Sequence, residues 1–374
     1  MATPLKNHFG PEIPHRIAAM IRSIHPKFPS SAFTRDALDG FGELDLTARG
    51  WKIARTLRSH MPDDYARSIA ILMASLGPKL EKTEGNGMGP FLYLPHVFFV
   101  AEFGLDHFDD SMRAQYELTQ RFTAEFSIRP FLERHPEATL ARLAEWTNDP
   151  SEHVRRLVSE GTRPRLPWAP RLRGFQKDPR PVLELLELLK DDPSLYVRRS
   201  VANNLNDIGK DHPALLVATA QRWLIDASEE RRWLVQHALR SAVKRADAGT
   251  LALLGFGKAA KIAIRNASVT PGRVAMGKSV VIALEVASTA TKAQRVLVDL
   301  CIHFVKANGK TSPKVFKLKT VDLGSGESVR LEKRISLADM TTRKHYPGTH
   351  RVEVVINGRA EALGEFRLVE CNTP

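Results

Sequence analysis

The chain has 374 residues, 43% of them apolar, with 55 Lys and Arg against 42 Asp and Glu and a formal charge of +13. Single cores stop growing at roughly 250–300 residues, so a chain of this length is expected to form two domains. Its two cysteines, Cys301 and Cys371, lack the paired spacing of a zinc or thiol-redox motif, which excludes a cysteine-built metal site and points to a reducing compartment.

At the amino terminus, residues 1–8 carry no basic stretch followed by an apolar one. No later run approaches the ~20 apolar residues of a membrane span, so the expectation is a cytoplasmic protein with no membrane partner. From there to residue 257 apolar residues recur at helical spacing, as in 66–76 and 183–189, with Pro, Gly and Asp-Pro between the blocks. A repeat runs through this half. Asp149-Pro-Ser-Glu-His-Val-Arg-Arg-Leu-Val158 recurs 43 residues later as Asp192-Pro-Ser-Leu-Tyr-Val-Arg-Arg-Ser-Val201. A looser copy, Asp226-Ala-Ser-Glu-Glu-Arg-Arg-Trp-Leu-Val235, follows after 34 more. Helical pairs at periods of about 34–47 residues predict a HEAT-like α-solenoid with a concave face, over residues 1–257.

Beyond Gly255-Phe-Gly257 the pattern changes to short Val- and Ile-rich alternating runs, for example 279–286, 295–304 and 351–356, separated by turn signals such as Asn308-Gly309 and Asn357-Gly358. About seven strands at this spacing predict an immunoglobulin-like β-sandwich over residues 258–374. This tail carries 20 Lys and Arg against 10 Asp and Glu, and the first 257 residues carry 35 against 32. Of the net charge of +13, +10 is therefore in the sandwich, which suggests a polyanionic partner.

No P-loop, dinucleotide fingerprint, His-Glu-x-x-His helix or Gly-x-Ser-x-Gly elbow occurs, so phosphoryl transfer, hydride transfer, zinc hydrolysis and serine hydrolysis lose their usual sequence support. The informative positions are polar residues of the repeats. Helical pitch places Arg155, Arg156 and Glu160 of one copy, and Arg198, Arg199, Asn203 and Asp207 of the next, toward the concave face. Arg155 and Arg198 are expected to bond Asp149 or Asp192 in the preceding turn. Arg156, Arg199 and Arg232 are candidates for phosphate contact, joined by Arg163 and Arg165. Acids in such a groove oppose DNA binding. Glu160, Asp207 and Glu125 either pair with the arginines or, as three acids facing one cavity, serve chemistry on a cation. Trp168, in the proline-stiffened Arg163-Pro-Arg-Leu-Pro-Trp168, either fills core or offers a cationic base about 0.5–2 kcal/mol of cation–π attraction.

Taken together, Leu5-Lys-Asn-His-Phe-Gly10, Leu94-Pro-His96, Phe126-Ser-Ile-Arg-Pro-Phe131, Arg163-Pro-Arg-Leu-Pro-Trp168, the Val-Arg-Arg repeats and Ser200-Val-Ala-Asn-Asn-Leu-Asn-Asp207 resemble the AlkC branch of the AlkC/AlkD HEAT-repeat DNA glycosylases. One subgroup of that family carries a C-terminal immunoglobulin-like domain that helps encircle DNA. The resemblance implies hydrolysis of the glycosidic bond of alkylpurines such as 3-methyladenine, with no metal, no cofactor and no lysine Schiff base. It implies that Asp207, Glu160 and Glu125 contact the cationic lesion or orient water, with Asp207 first in line for the water and sugar. Trp168 and Phe126 would contact the lesion. The implied partner is double-stranded DNA containing alkylated bases, met by a monomer with no obligate protein partner. Two other readings stand beside this one. A non-catalytic HEAT-repeat DNA-binding or scaffold protein needs the arginines but not the acids, and a protein-interaction adaptor predicts no salt-dependent DNA affinity.

Overall fold

The computed structural model describes residues 5–256, 260–340 and 344–370. Cys371 and the expected domain junction at 257–259 lie outside the described residues. The chain divides into two compact units, Thr3–Leu216 with Arg222–Ala238, and Leu239–Pro374 with Val217–Gln221. Among the described residues no helix is long and apolar enough to cross a membrane.

The first unit is helical, and its helices follow from local pattern. Arg180–Leu189 buries Val182, Leu185, Leu186 and Leu189, the i, i+3, i+4, i+7 stripe of an amphipathic helix, and leaves Glu184 and Leu188 to solvent. Burying each of these side chains contributes about 1.5–3 kcal/mol. The repeat has a structural basis in its Asp-Pro-Ser start. Asp149 Oδ1 accepts from Ser151 N, and Asp192 Oδ1 from Ser194 N, both at 2.8 Å, so each Asp closes the turn that opens the helices Glu152–Gly161 and Leu195–Asp211. The following Arg reaches back to the same turn, but to its carbonyls. Arg155 Nη1 donates to Asp149 O at 2.8 Å, and Arg198 Nη1 to Asp192 O at 2.6 Å. The expected carboxylate partner is shifted by one repeat, because Arg155 Nε donates to Asp192 Oδ2 at 2.6 Å and so ties one copy to the next.

These two helices pack closely. Asn204 Nδ2 donates to Ser159 O at 2.7 Å and to Thr162 Oγ1 at 3.0 Å. Gly161 permits a close approach on the other side, since a Cβ there would sit 2.5 Å from Ile128 Cγ2.

The second unit carries an antiparallel three-stranded sheet, ordered β1 (Ile262–Thr270), β3 (Ser279–Ser288), β6 (Ser328–Ser336). It also carries a five-stranded sheet, ordered β2 (Arg273–Ala275), β8 (Arg359–Val369), β7 (Gly348–Ile356), β4 (Gln294–Val305), β5 (Thr311–Leu323), in which β2 alone runs parallel to its neighbour. The sheets share one core: Val280, Ile282, Leu284 and Val286 of β3 meet Val298, Leu300, Ile302 and Phe304 of β4 and Val352 and Val354 of β7. Alternation along β4 turns Leu297, Asp299, Cys301 and His303 to the opposite face, where Leu297 packs on Leu251 and Phe256.

Candidate active site

Glu125, Arg156, Glu160, Arg163 and Asp207 come from three stretches of the helical unit and form one chain of ion pairs. Arg156 Nη1 lies 2.8 Å from Glu125 Oε2, and its Nη2 lies 3.6 Å from Glu160 Oε1. Arg163 Nη1 donates to Glu160 Oε1 at 2.7 Å, while its Nη2 and Nε each stand 2.9 Å from Asp207 Oδ2. Lys210 Nζ closes the far end, 2.7 Å from Asp207 Oδ1. Hydroxyls fix the acids further: Thr123 donates to Glu125 Oε2 at 2.8 Å, and Ser200 to Glu160 Oε2 at 2.6 Å. Among the described residues both side-chain donors to Glu125 go to Oε2.

The electrostatics follow from this arrangement. Burial works against the charge on Glu160, but Arg156 and Arg163 outweigh it and hold the carboxyl below its ordinary range. Burial likewise disfavours Arg156 and Arg163, and the neighbouring carboxylates reverse that and raise both. The guanidinium of Arg156 also lies over the Tyr196 ring, 5.2 Å from its centroid. Glu160, Arg156 and Arg163 are therefore held ionised away from bulk water.

A cavity of about 250 Å³ opens onto this chain, its lining made of the charged Glu125, Glu160 and Arg163 together with the aromatic Phe91, Phe122, Phe126 and Trp168. Trp168 is 66% exposed and sits at φ 64°, a left-handed conformation that costs a non-glycine residue roughly 1–3 kcal/mol. Its loop is nevertheless tied down. Leu166 and Leu172 are buried, Arg165 Nε donates to Asp211 at 2.9 Å, and Arg129 donates to Pro170 O. A strained loop fixed at both ends presents the indole to whatever enters the cavity.

Several expectations change in detail. Arg163, expected on phosphate, is buried between Glu160 and Asp207, and Arg156 is committed to Glu125 and Glu160. Arg165 pairs with Asp211, and the more exposed Arg199 pairs with Glu84 at 2.7 Å. Arg232 is exposed on the helix Glu229–Lys244. Asp207, expected to orient water, is 1% exposed and does not line the cavity. Arg129 escaped the sequence reading although its string was singled out. Its buried guanidinium donates to Gly161 O at 3.1 Å and to Arg163 O at 2.8 Å, joining the end of the helix Glu152–Gly161 to the Trp168 loop. Burial pushes its pKa down to about 10. An Arg inside an otherwise apolar string was the available signal.

Known proteins place the chain in a family. Residues 263–370 match the model of the C-terminal immunoglobulin-like domain of the uncharacterised protein YhaZ. YhaZ of Bacillus subtilis (strain 168) is 36% identical over 365 residues, covering 97% of this chain and 99% of that protein. The solved structure of Pseudomonas fluorescens alkylpurine DNA glycosylase AlkC, bound to DNA containing an abasic-site analog, is 38% identical. It superposes with a TM-score of 0.91 over 98% of this chain and 100% of that one. With matches that run through both halves, the chain belongs to the AlkC family of HEAT-repeat proteins, in the subgroup with a C-terminal immunoglobulin-like domain.

Proposed function

We propose that this chain is a DNA glycosylase of base excision repair that hydrolyses the N-glycosidic bond of cationic alkylated bases, chiefly 3-methyladenine, in double-stranded DNA. The observation that carries the reading is the 250 Å³ cavity, whose lining combines the carboxylates of Glu125 and Glu160 with the rings of Trp168 and Phe126. Alkylation at N3 or N7 makes a purine cationic. Heterolysis of its bond to C1′ returns the electron pair to the base, which leaves neutral, and the positive charge passes to an oxocarbenium-like sugar. Water adds to C1′ and gives its proton to a carboxylate. The enzyme's task is then to stabilise positive charge that migrates from base to sugar, which fixed carboxylates in a dry site do well.

In this reading Glu125 meets the cation, Glu160 adds its charge from the cavity wall, and the Trp168 and Phe126 rings pack on the lesion-bearing nucleotide. Asp207 is the proposed group for water and sugar. That role requires Oδ1 to exchange Lys210 for water, and Lys210 is 36% exposed, within reach of an anion such as a DNA phosphate. Arg199 and Arg232 are the surface cations proposed for phosphate, with the basic sandwich helping to hold the duplex. The protein would act as a monomer in the cytoplasm, at the nucleoid.

The test is release of free base from DNA treated with a methylating agent, with the product identified by chromatography. Glu125→Gln and Asp207→Asn should each lower release by on the order of 10²-fold or more, with duplex affinity equal or higher because a negative charge leaves the site. Binding of DNA by the parent protein without release of any base would instead favour a non-catalytic DNA-binding solenoid.

A further inference from the structure

Outside the helical unit, the outer face of the five-stranded sheet gathers three side chains that the glycosylase reading does not use. Cys301 and His303 stand two residues apart on β4, hence on one face, and Glu353 on β7 is the direct cross-strand partner of Cys301. The pleat turns all three away from the core that Leu300, Ile302 and Val352 fill. Their donor atoms lie within 4.8 Å of one another: Cys301 Sγ is 3.9 Å from His303 Nε2, which is 2.9 Å from Glu353 Oε2.

The detail that decides between readings is that thiol and carboxylate meet the same ring nitrogen. In a nucleophile relay the acid holds one imidazole nitrogen and the nucleophile faces the other, so that a proton can pass through the ring. Here both lie against Nε2, which is not the arrangement of a relay but brings three potential metal ligands within 4.8 Å of one another. A hydrogen bond between His303 and Glu353 accounts for two of them but not for the sulfur.

We infer that Cys301, His303 and Glu353 form a binding site for a zinc-class divalent cation on the immunoglobulin-like domain. Sulfur, imidazole nitrogen and carboxylate oxygen form a donor set suited to zinc, with bonds of about 2.0–2.3 Å, and donors this close need only small side-chain rotations to surround such an ion. Three protein ligands leave the fourth tetrahedral position to water. His303 and Glu353 are partly exposed and provide the way in, whereas Cys301 is buried behind them. On binding, the Cys301 thiol loses its proton to solvent and the thiolate becomes a ligand. Zinc motifs announce themselves in a sequence through the spacing between cysteines. A site built across a strand pair has no fixed spacing, which is why it escaped.

Cobalt(II) is the probe, because a thiolate bound to it absorbs by charge transfer. Full-length protein carrying Cys371→Ser, which removes the other thiol, is titrated with cobalt chloride and then with zinc chloride. The expected result is a charge-transfer band that saturates at a stoichiometric amount of cobalt and is displaced by zinc. The band should be lost in Cys301→Ser. His303→Gln and Glu353→Gln, which keep the thiol, should bind cobalt roughly tenfold or more weakly, with metal-free circular-dichroism melts like the parent's. A parent showing no band at stoichiometric cobalt would overturn the site, as would a band surviving Cys301→Ser. Unchanged affinity in both Gln variants would also overturn it.

Discussion

Arg163 shows how far a residue's chemistry depends on where the fold puts it. Sequence alone places a guanidinium in a proline-rich segment of a DNA-binding candidate, and phosphate is the natural partner to expect. The structure gives it two carboxylates instead, Glu160 and Asp207, each within 2.9 Å. Removing one partner from a buried set leaves uncompensated charge, which typically costs about 3–5 kcal/mol. Arg163→Met is therefore expected to lower the unfolding free energy by that amount, as read from urea denaturation. A phosphate contact predicts the opposite pattern: unchanged stability and a flatter salt dependence of DNA binding. The sequence singled out Glu125, Glu160 and Asp207 because carboxylates among arginines demand a reason, and the structure joins all three in one chain of ion pairs. The sequence did not reveal which cation each acid holds, because Arg163 and Asp207 are 44 residues apart and meet only through the packing of successive helices.

At the scale of the element, the helix Leu94–Phe103 is apolar on nearly every side and encloses His96, which has no accessible surface. Burial lowers its pKa from 6.5 to about 4, so the folded chain keeps the ring neutral. Between those values the unfolded chain binds the proton and the folded chain does not, so stability falls as pH drops below about 6.5. The loss from this group should reach about 2 kcal/mol at roughly pH 5. Unfolding free energies from urea denaturation at neutral and mildly acid pH should differ by about that much less in His96→Leu than in the parent, and an equal acid sensitivity in both would remove His96 from the account. Elements differ in how plainly the sequence announces them. The helices and their repeats could be read because the 3.6-residue period and the Asp-Pro-Ser turn are local. Seven strands were expected where eight are described, since β2 spans three residues, too few to show alternation. Strand register is also silent in the sequence, and register is what sets Cys301 opposite Glu353.

For the whole molecule, charge is the quantity that sequence states most directly, and here it is divided unequally between two kinds of structure. In the helical unit arginines and acids neutralise each other in named pairs, so the charge at the candidate site is local. In the sandwich the excess stands on strand surfaces: Lys314 and Lys319 on β5 and Arg334 on β6 are exposed. On the proposed reading these cations meet phosphates, and each such contact contributes about 0.9 to the slope of log affinity against log salt concentration. Replacing Lys314, Lys319 and Arg334 together by Gln in the full chain should therefore reduce the magnitude of that slope by about 2–3, measured by fluorescence anisotropy with an undamaged duplex over a potassium chloride series. Base release at saturating DNA should stay near the parent value, because none of the three lines the cavity. A slope that does not change would mean that the basic strands do not touch the duplex, and the sandwich's role in holding DNA would have to be given up while the chemistry proposed for the helical unit stood.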